Sequence, residues 1–254
     1  MKKTKKRKPE KKLICLPTPR VERLMKDQVH HEVSPWRIFK IMAEFVSGYE
    51  FLKKYKKAVT FFGTARVTFH SDLYKQATHL AFRLSKDGYA VMTGGGPGIM
   101  EAANKGAHDA GGVSVGVNIR LPFEQRTNRY VVESEAFKYF FVRKTMLAFA
   151  SQVYIFFPGG YGTMDELFEM LTLVQTKKID PTPIILVNKE FWTPLLSWVK
   201  EYLYEKNKAI DEEDMHLYYL ADDDKDAYEY INKLMYFKEV KYDAKKTKKR
   251  NYFD

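Results

Sequence analysis

The chain has 254 residues, 45% of them apolar and 15% aromatic, ample for a buried core. A single cysteine, Cys15, excludes an internal disulfide and a cysteine-based zinc site, and no run approaches the ~18 apolar residues that span a membrane. The formal charge of +11 sits at the ends: residues 1–12 carry a net +7 and residues 244–250 a net +5, leaving −1 between them.

Such ends are expected to be solvated tails, because they hold too little apolar surface to offset ordering entropy. Weak contact with nucleic acid, an anionic membrane or an acidic partner is their functional alternative. Only four apolar residues, Leu13 to Leu16, follow the first basic run, too few for a signal-peptide core. The expectation is a cytoplasmic protein with no membrane segment.

Ser34 is a candidate cap, with proline next, and Ile38, Ile41, Met42 and Phe45 follow at helical spacing, so residues 34–55 are predicted helical. Apolar, β-rich runs at 58–65, 89–96, 113–119, 129–134, 152–160 and 183–188 predict six strands. Helices are predicted over 71–86, 97–110, 136–150, 163–176, 191–204 and 224–236, with an acidic patch at Asp211–Asp214. The strands are continuous apolar runs, which signals burial on both faces. Alternating strands and helices of this kind predict an α/β, Rossmann-like, doubly wound parallel sheet with flanking N- and C-terminal helices. The expected division is a basic tail at 1–16, a helical extension at 17–57, a nucleotide-binding core at 58–205, and a helical extension with a basic tail at 206–254.

Two glycine clusters, "TGGGPG" (Thr93–Gly98) and "PGGYGT" (Pro158–Thr163), fall where a strand ends and a helix begins, as does Gly63-Thr64. Glycine lets backbone approach a ligand closely, and the following helix offers free amides and a positive dipole end to an anion. Neither cluster has G-x-G-x-x-G spacing or a Walker A ending, so a single phosphate suits them better than a pyrophosphate. Gly63, Thr64, Gly94, Gly95, Gly96, Gly98, Gly159, Gly160, Gly162 and Thr163 are the candidate binding residues. Thr163 is expected to cap the helix and offer its hydroxyl to phosphate. Glu166 would then be at the third helical position, either closing a capping box or facing the sugar of a bound nucleotide. Arg143 lies among Tyr139, Phe140, Met146 and Leu147 at helical neighbour spacing and needs an anionic partner. Lys144 beside it is the more ordinary residue.

"GGGPGIMEAANKGA", the Arg143-Lys144 pair and "PGGYGTMDE" together resemble the LOG (LONELY GUY) family over roughly residues 58–205. These are cytokinin-activating phosphoribohydrolases and related nucleotide nucleosidases, often labelled "lysine decarboxylase-like". The resemblance implies cleavage of nucleoside 5′-monophosphates to free base and ribose 5-phosphate, by a homodimer or higher homo-oligomer without cofactor or metal. It places the catalytic arginine on Arg143 and the catalytic glutamate on Glu166, with Lys144 and the glycine loops in the nucleotide site. Glu124 and Asn128 lie in a loop expected to contact base or ribose. Where plant-type members have Met-His shortly before Arg-Lys, this chain has Phe140-Phe141. No lysine has a recognisable pyridoxal phosphate setting. The competing expectation is a non-catalytic nucleotide sensor or molybdenum-cofactor carrier built on the same loop.

Overall fold

A computed structural model of the chain describes residues 35–120 and 127–235. The chain divides into two units, Met1–Ile38 and Phe39–Asp254, and of the first only the start of one helix is described. The elements run α1 (Arg37–Leu52), β1 (Ala58–Phe62), α2 (Asp72–Lys86), β2 (Ala90–Thr93), α3 (Ile99–Asp109), β3 (Ser114–Ile119) and β4 (Glu133–Phe137). They continue with α4 (Phe140–Phe149), β5 (Val153–Phe156), α5 (Tyr161–Gln175), β6 (Ile184–Val187), α6 (Lys189–Trp198) and β7 (Tyr219–Ala221). A π-helical stretch, Val199–Lys206, prolongs α6, and a 3-10 turn, Glu212–His216, precedes β7. Residues 224–235 form the last described helix, α7.

The seven strands make one parallel sheet in the order β4-β3-β2-β1-β5-β6-β7. Every residue of β1, β2, β5 and β6 is buried, as their largely apolar runs lead one to expect; the two polar members are Thr60 and Thr93. Alternate side chains supply two cores. Ala58, Met92, Tyr154, Phe156 and Leu186 face α1, α4, α5 and α6, meeting Phe51, Val142, Met146, Leu167 and Trp192. Val59, Phe61, Val91, Ile155 and Val187 face α2, α3 and α7, meeting Leu80, Leu84, Ala103 and Ile231. Helices on both faces make this a Rossmann-like doubly wound α/β fold.

Several elements differ from expectation. β4 is Glu133–Phe137, not 129–134, and α4 starts at Phe140, not Ala136. The strand's position is set by its pairing with β3, from Val115 against Glu133 to Ile119 against Phe137. β7, with Tyr219 beside Ile185, was not predicted; its three residues carry too short a pattern to read. The predicted cap Ser34 lies outside the described residues. Among the described residues no helix is long and apolar enough to cross a membrane.

Candidate active site

The sheet order turns at the β1/β5 boundary, so the chain leaves these neighbouring strands towards opposite sides. In open α/β sheets, ligands bind in the crevice beyond the carboxyl ends of such strands. A cavity of about 800 Å3 lies there. It is lined by Phe62, Gly63, Thr64, Ala65 and Arg66 after β1, by Gly94 and Met100 after β2, and by Phe140 and Arg143 of α4. Pro158, Gly159, Gly160, Tyr161, Gly162, Thr163 and Glu166 after β5, and Phe191 of α6, complete it.

Short backbone bonds draw the three loops together. Thr64 N donates to Pro158 O at 3.0 Å, and Ile99 N donates to Thr64 O at 3.0 Å. Gly98 has φ +73°, and a side chain there would collide with the Thr64 carbonyl, so glycine is required twice over. Gly94 is the floor beneath Arg143: a Cβ at this position would strike the guanidinium Nη2. Arg143 Nε donates to Val117 O at 3.0 Å, which fixes the side chain along the end of β3.

Helix α5 corrects the expected role of Thr163. The helix begins at Tyr161, two residues earlier than predicted, with extended Gly160 as N-cap and no side-chain acceptor. Thr163 is therefore the third helical residue, and its hydroxyl folds over Gly159, where a Cβ would collide with it. The glycines let the chain turn into the helix without a hydroxyl cap. First-turn amides of an α-helix have no intrahelical acceptor, and here no capping side chain takes them. By contrast α2 and α6 are capped by Ser71 and Asn188. Glu166 falls in the second turn, beyond the reach of a capping box.

Glu166 is 6% exposed. Burial pushes its carboxyl up from the usual value of 4.5 to about 7; Glu169 and Asp165 add to the rise, and Lys144 and Arg143 oppose it. Burial likewise pulls the Arg143 guanidinium below its ordinary value, and Glu166 pulls it back up. Lys144 is opposed by its own burial but held above the usual lysine value by hydrogen bonds and charges from Asp165, Glu166 and Glu169. Its Nζ lies 2.6 Å from Asp165 Oδ2 and 3.3 Å from Glu169 Oε2. Lys144 and Asp165 line a separate small cavity, not the main one. The main cavity thus joins an uncapped helix end, an arginine and a buried carboxyl that titrates near neutrality.

Gly63, Thr64, Gly94, Gly159, Gly160, Gly162, Thr163, Arg143 and Glu166 all line that cavity. Gly95, Gly96, Gly98 and Asn128 do not line it; they form its support. Gly95 N donates to Thr93 Oγ1 at 2.9 Å, and Asn128 N donates to Gly95 O at 2.9 Å. Asn128 Nδ2 donates to Gly96 O at 3.0 Å and to Asn104 Oδ1 at 2.9 Å, so this side chain pins the first glycine loop. Asn104 in turn bonds Thr93 and Ser114, and all three are fully buried. Glu124 lies outside the described residues. Arg66, Met100, Phe140, Tyr161 and Phe191 were missed by sequence reading. Arg66 follows Gly63-Thr64 by two residues, and Phe140 precedes Arg143 by three, close enough for the strand-end rule and helical spacing to have found both.

A family model described as "Possible lysine decarboxylase" matches residues 100–231. The probable cytokinin riboside 5'-monophosphate phosphoribohydrolase LOGL5 of Oryza sativa subsp. japonica is 33% identical over 133 residues, 51% of this chain and 53% of that protein. The cytokinin riboside 5'-monophosphate phosphoribohydrolase LOG4 of Arabidopsis thaliana is 33% identical over 124 residues, 48% of this chain and 54% of that one. The chain spans about half the length of these relatives. Among solved structures, the molybdenum cofactor binding protein of Rippkaea orientalis aligns with a TM-score of 0.53 and 22% identity, over 71% of this chain and 98% of that one. At that identity the likeness concerns the fold alone. The family match spans more than half of the residues and includes both Arg143 and the complete P-G-G-x-G-T-x-x-E motif ending at Glu166; the chain belongs to the LOG family.

Proposed function

We propose that this protein hydrolyses the N-glycosidic bond of a nucleoside 5′-monophosphate of the AMP type, releasing free base and ribose 5-phosphate. The observation that carries the reading is Glu166, a buried carboxyl held near neutrality in the same cavity as Arg143 and the uncapped end of α5. The phosphate lies at that helix end, on the amides of Gly162 and Thr163, where dipole and free N–H groups favour an anion. Arg66, exposed at the rim, adds a cation.

The sugar then lies over the second turn of α5, at Glu166. Breaking the C–N bond builds positive charge on the anomeric carbon, which the Glu166 carboxylate stabilises. The same carboxylate takes a proton from the attacking water. The base leaves with the bonding electron pair, the water oxygen bonds the anomeric carbon, and solvent supplies the proton the base needs. Arg143 keeps Glu166 ionised and oriented. Phosphate binding, remote from the reacting bond, supplies the positioning energy. Phe140 and Met100 flank the base side. Asp165, whose carboxylate is on Lys144, serves the charge balance rather than the proton transfer.

A homodimer or higher homo-oligomer fits the apolar side chains left exposed on α1 and α4, among them Phe39, Met42, Val46, Phe141 and Phe149. A screen of nucleoside 5′-monophosphates for released base tests the activity. Base and ribose 5-phosphate in equal amounts are expected, at least from AMP. Recovery of every nucleotide intact, with measurable binding, would establish a carrier or sensor instead.

A further inference from the structure

Helix α4 carries Arg143, yet its N-cap residue, Tyr139, supplies no side-chain acceptor. The acceptor comes from α1. Glu44 Oε1 accepts from Lys138 N at 2.9 Å, and Oε2 accepts from Tyr139 N at 3.1 Å. One carboxylate therefore holds the two backbone donors just ahead of the helix, and its charge faces the positive end of the α4 dipole. Hydrogen bonds from backbone N–H to an ionised carboxylate are among the stronger ones in proteins.

Packing fixes the helix that bears Glu44. At Gly48, one turn on, a Cβ would come 2.5 Å from Met146 Sδ and 3.0 Å from the Phe137 ring, so α1 meets α4 more closely than any side chain allows. Ser47 Oγ donates to Glu135 Oε1 at 3.0 Å, and Tyr55 OH donates to Glu133 Oε2 at 3.0 Å, tying the same segment to β4. Phe51 and Leu52 share a core with Val142 and Met146. From the capped end, one helical bond leads to the arginine: Arg143 N donates to Tyr139 O at 3.1 Å. Its guanidinium is secured separately by Val117 O.

We propose that Glu44 is a positioning residue for the reaction: from a helix ahead of the sheet it sets the start of α4, and through it the place of Arg143 beside Glu166. This rests on the hydrolase reading given above. Residues 37–52 lie ahead of β1 and outside the segment matched by the family model, 100–231.

The test compares Glu44→Ala, Glu44→Gln and Ser47→Ala in the full chain, with AMP as substrate. It follows kcat and KM for base release, binding of ribose 5-phosphate, and residue-resolved amide exchange. Glu44→Ala should lower kcat about tenfold, the scale of loss expected when a reacting group is displaced by a fraction of an ångström. Ribose 5-phosphate should still bind within about twofold, because α5 is untouched. Exchange should quicken over residues 138–147 and not over 161–167. Glu44→Gln keeps one acceptor oxygen and should fall between the two, and it carries the test alone if the alanine variant does not fold. Ser47→Ala, which loses another bond of α1, should leave kcat unchanged. Lower thermal stability with an unchanged kcat of the folded protein would overturn the proposal. If the wild type releases no base from any nucleotide, the hydrolase reading fails by itself. In that event exchange decides on Glu44, and unchanged exchange over 138–147 in Glu44→Ala overturns its role.

Discussion

Replacing Glu166 by glutamine separates the chemistry of this carboxyl from its burden on the fold. Glutamine has nearly the same shape and cannot ionise. The folded-state value of about 7 lies above the ordinary 4.5, so the native state binds a proton more tightly than the unfolded chain does. The stability tied to that proton is fully present below pH 4.5 and is lost as pH rises through 7. At about 1.36 kcal/mol per pH unit, ionised Glu166 burdens the fold by about 3 kcal/mol at pH 8.5 and about 1.5 kcal/mol at pH 5.5. The glutamine variant escapes this. Its stability relative to wild type should therefore grow by about 2 kcal/mol between pH 5.5 and 8.5, or roughly 4–8 °C in Tm for a chain of this length.

The assay is denaturant unfolding of both proteins at several pH values, beside base release from AMP at pH 8. Release should be lost in the variant. In the wild type, kcat/KM should fall on the acid side with an apparent pKa near 7 and not near 4.5. A stability gap that stays constant with pH, or shrinks as pH rises, would refute the argument. So would full activity of Glu166→Gln.

Three further substitutions probe the surroundings. Gly94→Ala forces the Arg143 guanidinium aside and should lower kcat/KM by about 10- to 100-fold. Because the displaced atoms are the far end of a side chain, Tm should change by less than about 3 °C. Lys144→Met removes the charge that most opposes the rise at Glu166, so the acid limb of the pH–rate profile should move to higher pH. An unmoved limb would show that Lys144 acts only on Asp165 and Glu169. Asn128→Ala removes the side-chain donor to the Gly96 carbonyl and one of the two donors to Asn104 Oδ1, and should destabilise the protein by about 1–3 kcal/mol. Its loss of activity should track unfolding, whereas a residue that contacts the base would raise KM at constant Tm.

The central strands were legible because a strand buried on both faces is mostly apolar: β5 and β6 are apolar throughout, and β1 and β2 each admit one buried threonine, Thr60 and Thr93. The edges were harder. In β4, Ser134 is exposed and Glu133 and Glu135 are only partly buried; the Glu133 carboxylate is held by Lys54 and Tyr55 from the turn that follows α1. Its register comes from partners far along the chain, and nothing in its own pattern announces it. The same division runs through the site. Glycines at strand ends and a glutamate after them can be read locally, since a tight turn and an anion-binding helix end are local structures. Asn128 reads locally as a polar loop residue open to a ligand. The acceptors of its amide nitrogen are 32 and 24 residues away, and sequence spacing carries no trace of them. Thr163 was misjudged for a different reason: the cap preference for hydroxyl residues loses to a glycine pair that can enter the helix earlier.

The energetic position of Glu166 bears on the choice between catalyst and carrier. Two cations act on it, yet burial and the neighbouring carboxylates outweigh them. Lys144 is itself held by Asp165 and Glu169, and the Arg143 guanidinium is drawn to Val117 O. A protein that only had to hold a phosphorylated ligand would need the amides of α5 and the glycine loops, and a neutral residue at 166 would relieve the fold by about 3 kcal/mol at alkaline pH. That burden is a large part of a typical domain's net stability. A base that must be ionised near neutral pH, but still basic enough to take a proton from water, requires a carboxyl with its pKa raised by burial. The loops account for a site suited to an anion; the proposed reaction accounts for an acid buried beside it.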